Sequence, residues 1–202
     1  MRYFVFLEFL DPIVERTLRQ LRDALQPWKR SKSPVHVTVR GPYKNEPDLK
    51  TLQELGTHLQ GQGVRIIGAG VFANRDTFSV FLRAESAVFK EIWWKPEFKT
   101  PIESIQPHLT MFESDDKISA MLALNFLRAS KVSILTHAVQ LSVYSPGQPD
   151  LFETRRSDGQ NQSHSSSDIV AIDPEIIPAA YEVGEQLRKR RLDLIAGKRN
   201  DA

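Results

Sequence analysis

The chain has 202 residues, a hydrophobic fraction of 41%, a charged fraction of 26% and a net charge of +2, which suits one domain with a real core and is short for two. It contains no cysteine, so disulfides and zinc–thiolate sites are excluded and a cytoplasmic location is expected. The apolar N-terminus is too short to cross a bilayer, and Glu8 interrupts it, so neither a membrane anchor nor a signal peptide is expected.

The first residues predict a buried strand followed by a helix. Residues 2–10 are rich in aromatic and β-branched side chains, a composition typical of strands. Asp11-Pro12 is typical of a helix start, with Asp as the N-cap and Pro at the first helical position. Regularly spaced leucines extend this helix to about Gln26, and a polar, basic loop follows.

Residues 35–40 alternate between valine and polar side chains, which predicts a half-buried strand with a polar outer face. That face carries His36, Thr38 and Arg40. Gly41-Pro42 ends the strand. Tyr43, just beyond it, could line a cleft, stack on a base or simply pack against the core.

The middle of the chain predicts a helix, a hairpin and a second short helix. The helix covers about 47–60, and the hairpin pairs strands at 64–72 and 77–84. The short helix at 85–94 leads into an irregular, proline-containing segment at 95–106.

A second strand, at 107–112, repeats the polar pattern with His108 and Thr110. A helix is expected from Asp115-Asp116 to about Ala129, with acidic residues in its first turn, where the helix dipole favours them. One or two further strands are expected within 131–144.

The two His-x-Thr pairs, 72 residues apart, are the most informative pattern in the chain. Alternate side chains of a strand share a face, so each His lies beside its Thr. Two such strands that meet would place two imidazoles and two hydroxyls around one cleft. Because His titrates near neutrality, such a pair can supply both an acid and a base for phosphodiester cleavage.

The order of elements predicts an α+β fold. We expect a two-lobed, duplicated domain over 1–156, with mixed or antiparallel sheets, helices outside and a central cleft. Residues 157–173 are interpreted as a flexible polar linker and 174–202 as a C-terminal helical appendage. The basic run 188–191 could contact RNA or an acidic membrane, or could be a solvated helix face.

Over about residues 2–146, the paired motifs and the element order resemble the 2H phosphoesterase superfamily, which includes the bacterial RNA 2′,3′-cyclic phosphodiesterases once called 2′-5′ RNA ligases. Pro107, just before the second His, and the helix after each motif also fit. The resemblance implies that His36 and His108 act as general acid and base without metal or cofactor. It further implies that Thr38 and Thr110 hold the phosphate oxygens.

One departure from the family concerns positive charge. Some members carry an Arg shortly after the second motif, where this chain has Phe-Glu-Ser at 112–114. Arg40 could supply the charge by pairing with a phosphate, or could be a surface arginine at the end of the strand. Three aromatic side chains around the segment at 95–106 could stack on bases or pack against the protein; these are Trp93, Trp94 and Phe98.

The expected function is hydrolysis of a nucleotide 2′,3′-cyclic phosphate or of 2′,5′-phosphodiester bonds, with an RNA end or nucleotide as substrate. The alternatives are a phosphodiesterase of cyclic oligonucleotide messengers and a non-catalytic RNA- or nucleotide-binding module using the same cleft. A weaker alternative is an adaptor that works through its C-terminal helix. We expect a monomer with no metal, no membrane contact and no protein partner.

Overall fold

The computed structural model describes residues 2–29, 31, 33–93, 106–145 and 169–200. These residues form eight strands and five helices. The strands are β1 (Tyr3–Phe9), β2 (His36–Tyr43), β3 (Val64–Ala73), β4 (Phe78–Glu85), β5 (His108–Ser114), β6 (Ser133–Thr136), β7 (Val139–Tyr144) and β8 (Ile169–Ala171). The helices are α1 (Pro12–Leu25), α2 (Leu49–Thr57), α3 (Phe89–Ile92), α4 (Lys117–Ala129) and α5 (Ile176–Asn200).

The strands form two antiparallel sheets, so the α+β class is confirmed. One sheet has the order β2-β1-β7 and the other the order β5-β4-β3-β6-β8. The two strands that carry the His-x-Thr pairs, β2 and β5, are each the edge of a sheet. They contact one another across the gap between the sheets, which brings the two motifs together.

Each sheet takes strands from both halves of the chain. Strands β3 and β4, from the first half, form the second sheet together with β5, β6 and β8 from the second half. Strand β7, from the second half, completes the first sheet by pairing with β1 over six residue pairs. Neither sheet is therefore the product of one continuous half of the sequence.

Local sequence signals set the start of the helices beside the motif strands. Asp11 caps α1, with its carboxylate accepting hydrogen bonds from the backbone N–H groups of Ile13 and Val14. Asp116 caps α4 in the same way through the N–H of Ser119. Such caps satisfy backbone donors that the first helical turn leaves open. The apolar face of α1 then joins the common core.

The C-terminal region differs from the sequence interpretation. Residues 169–171, assigned to the flexible linker, form β8 and pair with β6. Their Ile-Val-Ala composition gives them apolar side chains that suit a strand. The remaining linker residues, 157–168, lie outside the described residues.

Helix α5 packs against α1 and α4, so it is not a separate appendage. Ile176, Ala180 and Leu187 are buried and belong to the common core. A Cβ added at Gly184 would come within 1.9 Å of the Ala24 carbonyl oxygen. The absent side chain therefore allows α5 to approach the backbone of α1 closely.

Among the described residues, no helix combines the length and the apolar composition that a membrane span requires.

Candidate functional site

The two motifs line one cavity. His36 and Thr38, from β2, and His108 and Thr110, from β5, all contribute to a cavity of about 270 Å³. The C-terminal end of α1 and the loop after it form another wall, through Arg22, Gln26, Lys29, Ser31 and Ser33. The structure therefore brings together the four side chains that the sequence singled out.

In the first sheet, the His36 imidazole lies on an aromatic ring. Phe6 of β1 is directly opposite Thr38 in the strand register. Its ring stacks on the imidazole, with the ring centroids 3.5 Å apart and the planes 12° apart. Tyr144 of β7 stacks on Phe6 at 4.8 Å. These contacts restrict the orientation of the His36 ring.

The second sheet repeats this relationship. Phe81 of β4 is directly opposite Thr110, and its ring centroid lies 5.1 Å from that of His108. Phe72 approaches the same imidazole edge-on at 4.9 Å. Phe81 lies over Gly70, where an added Cβ would come within 2.5 Å of the ring. Gly70 thus provides the space for the ring that supports His108.

Both imidazoles are oriented by a backbone carbonyl two residues earlier. His36 Nδ1 lies 2.8 Å from the carbonyl oxygen of Pro34, and His108 Nδ1 lies 2.8 Å from that of Gln106. A carbonyl oxygen only accepts, so Nδ1 is the donor in each ring. In the neutral tautomer, Nε2 is then the basic nitrogen of both imidazoles.

Arg22, to which the sequence analysis gave no role, is a buried cation in the cavity wall. It is 8% exposed, and its guanidinium donates to the carbonyl oxygens of Pro34 at 3.3 Å and Ser33 at 3.0 Å. Burial lowers the pKa of Arg22, but an arginine still keeps its charge at neutral pH. One signal in the sequence could have identified Arg22. It lies four residues after Leu18 in the predicted helix, and residues with this spacing share a helix face, here the buried one.

A second set of contacts joins the end of α1 to β5 across the cavity. Gln26 Nε2 donates to the carbonyl oxygen of Glu113 at 2.9 Å. Lys29 Nζ lies 3.2 Å from the Glu113 carboxylate. Lys29 therefore places a second positive charge at the wall of the cavity, balanced in part by Glu113.

Arg40 and Tyr43 are not among the described residues that line this cavity. Arg40 Nε donates to the carbonyl oxygen of Ile92, at the end of α3, at 2.6 Å. Tyr43, at the end of β2, packs against the core. Their predicted contacts with a substrate stay predictions. Of the three aromatic residues proposed to stack on bases, Trp93 is half-buried at the end of α3 and is not among the described residues that line this cavity. Trp94 and Phe98 lie outside the described residues.

Within the described parts of the chain, no three His, Asp or Glu side chains come together as a potential metal site.

Comparison with known proteins gives no relative: no protein-family model, no curated protein and no solved structure matches the chain. Any function must therefore be argued from the cavity itself.

Proposed function

We propose that the protein is a phosphodiesterase with a 2H phosphoesterase-like, two-lobed fold. Its proposed substrates are nucleotide 2′,3′-cyclic phosphates or 2′,5′-phosphodiester bonds. The observation that carries the proposal is the meeting of two His-x-Thr pairs, 72 residues apart in the sequence, in one cavity. The equivalent Nδ1 contacts of the two imidazoles add support, since both rings present the same nitrogen for proton transfer.

Hydrolysis of a 2′,3′-cyclic phosphate requires two proton transfers. One neutral imidazole takes a proton from water as the water oxygen bonds to phosphorus. The other imidazole, protonated at the start, gives a proton to the ribose oxygen as its bond to phosphorus breaks. The products are a phosphomonoester and a free ribose hydroxyl, and the two imidazoles end with exchanged protonation states. Paired general acid and base catalysis of this kind needs His side chains on both sides of the phosphate.

The rest of the cavity suits a negatively charged transition state. The Thr38 and Thr110 hydroxyls can donate to the non-bridging phosphate oxygens, while Arg22 and Lys29 provide positive charge in the wall. Donors that are already oriented towards developing charge stabilise it without reorganisation. A buried guanidinium acts more strongly than one in water because the local dielectric constant is lower.

The test is an assay of EDTA-treated protein against three substrate classes: 2′,3′-cyclic nucleotides, 2′,5′-linked oligoadenylates and cyclic oligonucleotides. The variants are His36→Ala and His108→Ala, with His58→Ala, an exposed histidine at the end of α2, as the matched control. We expect each cavity variant to lose about 10²- to 10⁴-fold in kcat and the control to keep full activity.

The outcomes separate the alternatives. Turnover of cyclic oligonucleotides alone would identify the messenger phosphodiesterase. Tight nucleotide binding without product, unchanged in both cavity variants, would contradict catalysis and identify a binding module. Equal turnover by all three variants would show that the two imidazoles do not perform the reaction.

A further inference from the structure

A second cavity, of about 450 Å³, adjoins the His-x-Thr cavity and extends beneath α5. The proposed reaction does not use it. The two cavities share four wall residues, namely Gln26, Lys29, Phe112 and Glu113. They are thus neighbouring compartments of one groove, and the second is of a size typical of small-molecule sites.

The boundary between the compartments contains one weak contact beside the hydrogen bond from Gln26 to the Glu113 carbonyl oxygen. It includes the ion pair of Lys29 and Glu113, whose side chains are 61% and 43% exposed. Exposed ion pairs of this kind contribute little to stability. A phosphate of an extended ligand can therefore take the place of the Glu113 carboxylate on Lys29 at little cost.

The far wall of the second cavity combines an aromatic ring with a cation. The Arg191 guanidinium lies over the Trp28 ring, 5.6 Å from its centroid, and Trp28 also contacts Phe112 edge-on at 6.1 Å. Aromatic side chains beside positive charge are the recurring means of holding single-stranded nucleic acid, since bases stack and phosphates pair with the cation.

Helix α5 supplies the cation of this wall, Arg191, and an ion pair holds the helix in place. Arg190 makes a bidentate contact with the Asp116 carboxylate at the start of α4. The Asp116 carboxylate, which lines the cavity, is therefore paired with a cation. This pairing reduces the negative charge that an incoming nucleotide would meet.

We propose that the second cavity binds the nucleotide adjacent to the scissile phosphodiester, so that the preferred substrate is the end of an oligonucleotide rather than a mononucleotide. The inference rests on the proposed function and names its substrate class. It assigns α5, which lies outside the family resemblance, a part in substrate binding. In this arrangement Trp28 contacts the adjacent base, and Arg191 and Lys29 contact the phosphates.

The test uses the full chain and two substrates with the same reactive end: a 2′,3′-cyclic mononucleotide and a hexanucleotide that ends in a 2′,3′-cyclic phosphate. We expect kcat/KM to be at least about tenfold higher for the hexanucleotide, since the adjacent base gains stacking on an aromatic ring. Trp28→Leu and Arg191→Gln should lower the hexanucleotide-to-mononucleotide ratio about tenfold. Arg188→Gln, an exposed residue of the same helix that pairs with Glu185, should leave the ratio unchanged.

A binding measurement separates this inference from the proposed function. The probe is a fluorescent hexanucleotide bound to the His36→Ala/His108→Ala double variant, with and without Trp28→Leu. Turnover of both substrates at equal kcat/KM would overturn the inference and leave the function intact. Binding that depends on Trp28, without turnover in the wild type, would overturn the function and support the second cavity. Neither turnover nor binding would overturn both.

Discussion

Arg22 and His36 share one hydrogen-bond acceptor, the carbonyl oxygen of Pro34. The guanidinium Nη1 of Arg22 lies 3.3 Å from that oxygen and the imidazole Nδ1 of His36 lies 2.8 Å from it. A buried residue of α1 thus holds the carbonyl that selects the tautomer of an imidazole on β2. His108 makes the equivalent contact, with the carbonyl oxygen of Gln106. Arg22 supports the contact of the first motif, because it donates to the Pro34 carbonyl.

Arg22→Gln should lower kcat about 10- to 100-fold, because small displacements of a catalytic group have effects of this size. Arg22→Lys should restore part of the loss. The Nδ1 proton of His36, followed by NMR in the folded variant, should lose its hydrogen-bonded shift while that of His108 keeps it. Arg19→Gln, an exposed neighbour on α1 that pairs with Glu15, is the matched control. Unchanged kcat and an unchanged His36 signal would contradict a positioning role for Arg22.

Gly70→Ala should reduce activity through His108. The new methyl group would meet the Phe81 ring at 2.5 Å, and this ring must then move against the imidazole that it supports. Overpacking typically costs about 1–3 kcal/mol, so we also expect a lower Tm. Gly56→Ala, in α2, has nothing within 4 Å of the new methyl group and should leave activity unchanged. If Gly70→Ala matched that control in kcat, the support of His108 by Phe81 would be refuted.

Gly184→Ala should separate α5 from α1, because the methyl group would clash with the Ala24 carbonyl oxygen at 1.9 Å. We expect a loss of about 1–3 kcal/mol in the free energy of unfolding, measured by urea denaturation. Gly197→Ala, on the same helix, has open space around the new methyl group and should cost nothing. Equal stability of the two variants would mean that α5 does not pack as described.

Asp116→Asn should destabilise the protein in a pH-dependent manner. The Arg190 guanidinium holds the pKa of the Asp116 carboxyl well below its usual range. A depressed pKa contributes stability that is fully present above the unfolded-state value of about 4 and is lost as the pH falls through the folded-state value. The Tm difference between wild type and variant should therefore be constant near neutrality and shrink below about pH 4.

The control for this measurement is Asp48→Asn. Asp48 also caps a helix, through the N–H of Thr51, and Asn preserves capping at both positions. Asp48 is not among the described residues in an ion pair, so its replacement should change Tm less than that of Asp116. A Tm difference for Asp116→Asn that persists unchanged to pH 2 would contradict the role of the charge.

The alternation of apolar and polar residues predicted which side chains of β2 are buried, but it did not predict which groups contact them. The buried valines and half-buried polar residues of β2 follow the predicted pattern. Arg40 continues that pattern, yet its guanidinium is held by the end of α3, a neighbour that no local pattern identifies. Arg22 was overlooked for a similar reason. Its acceptors are carbonyl oxygens of a loop that packs against α1 only in the folded chain.

The C-terminal region shows a second limit of sequence interpretation. Because residues 157–168 are polar, the whole of 157–173 was interpreted as one linker. The apolar Ile-Val-Ala at 169–171 already indicated a strand, which is β8 in the structure. The basic run was interpreted as a surface that contacts RNA or membrane, or as a solvated face. In the structure Arg190 pairs with Asp116, and Arg191 lies over the Trp28 ring. Such pairings join residues too distant in sequence for composition to reveal.

The pairing of β1 with the distant strand β7 has a consequence during synthesis on the ribosome. Strand β1 can pair with β2 early, but its other edge has no partner until β7, more than 130 residues later, has left the exit tunnel. At about 5–20 residues per second, that edge stays open for seconds. An open edge in a nascent chain is a template for wrong pairing between neighbouring chains, so β1 is open to mispairing on a polysome until β7 emerges.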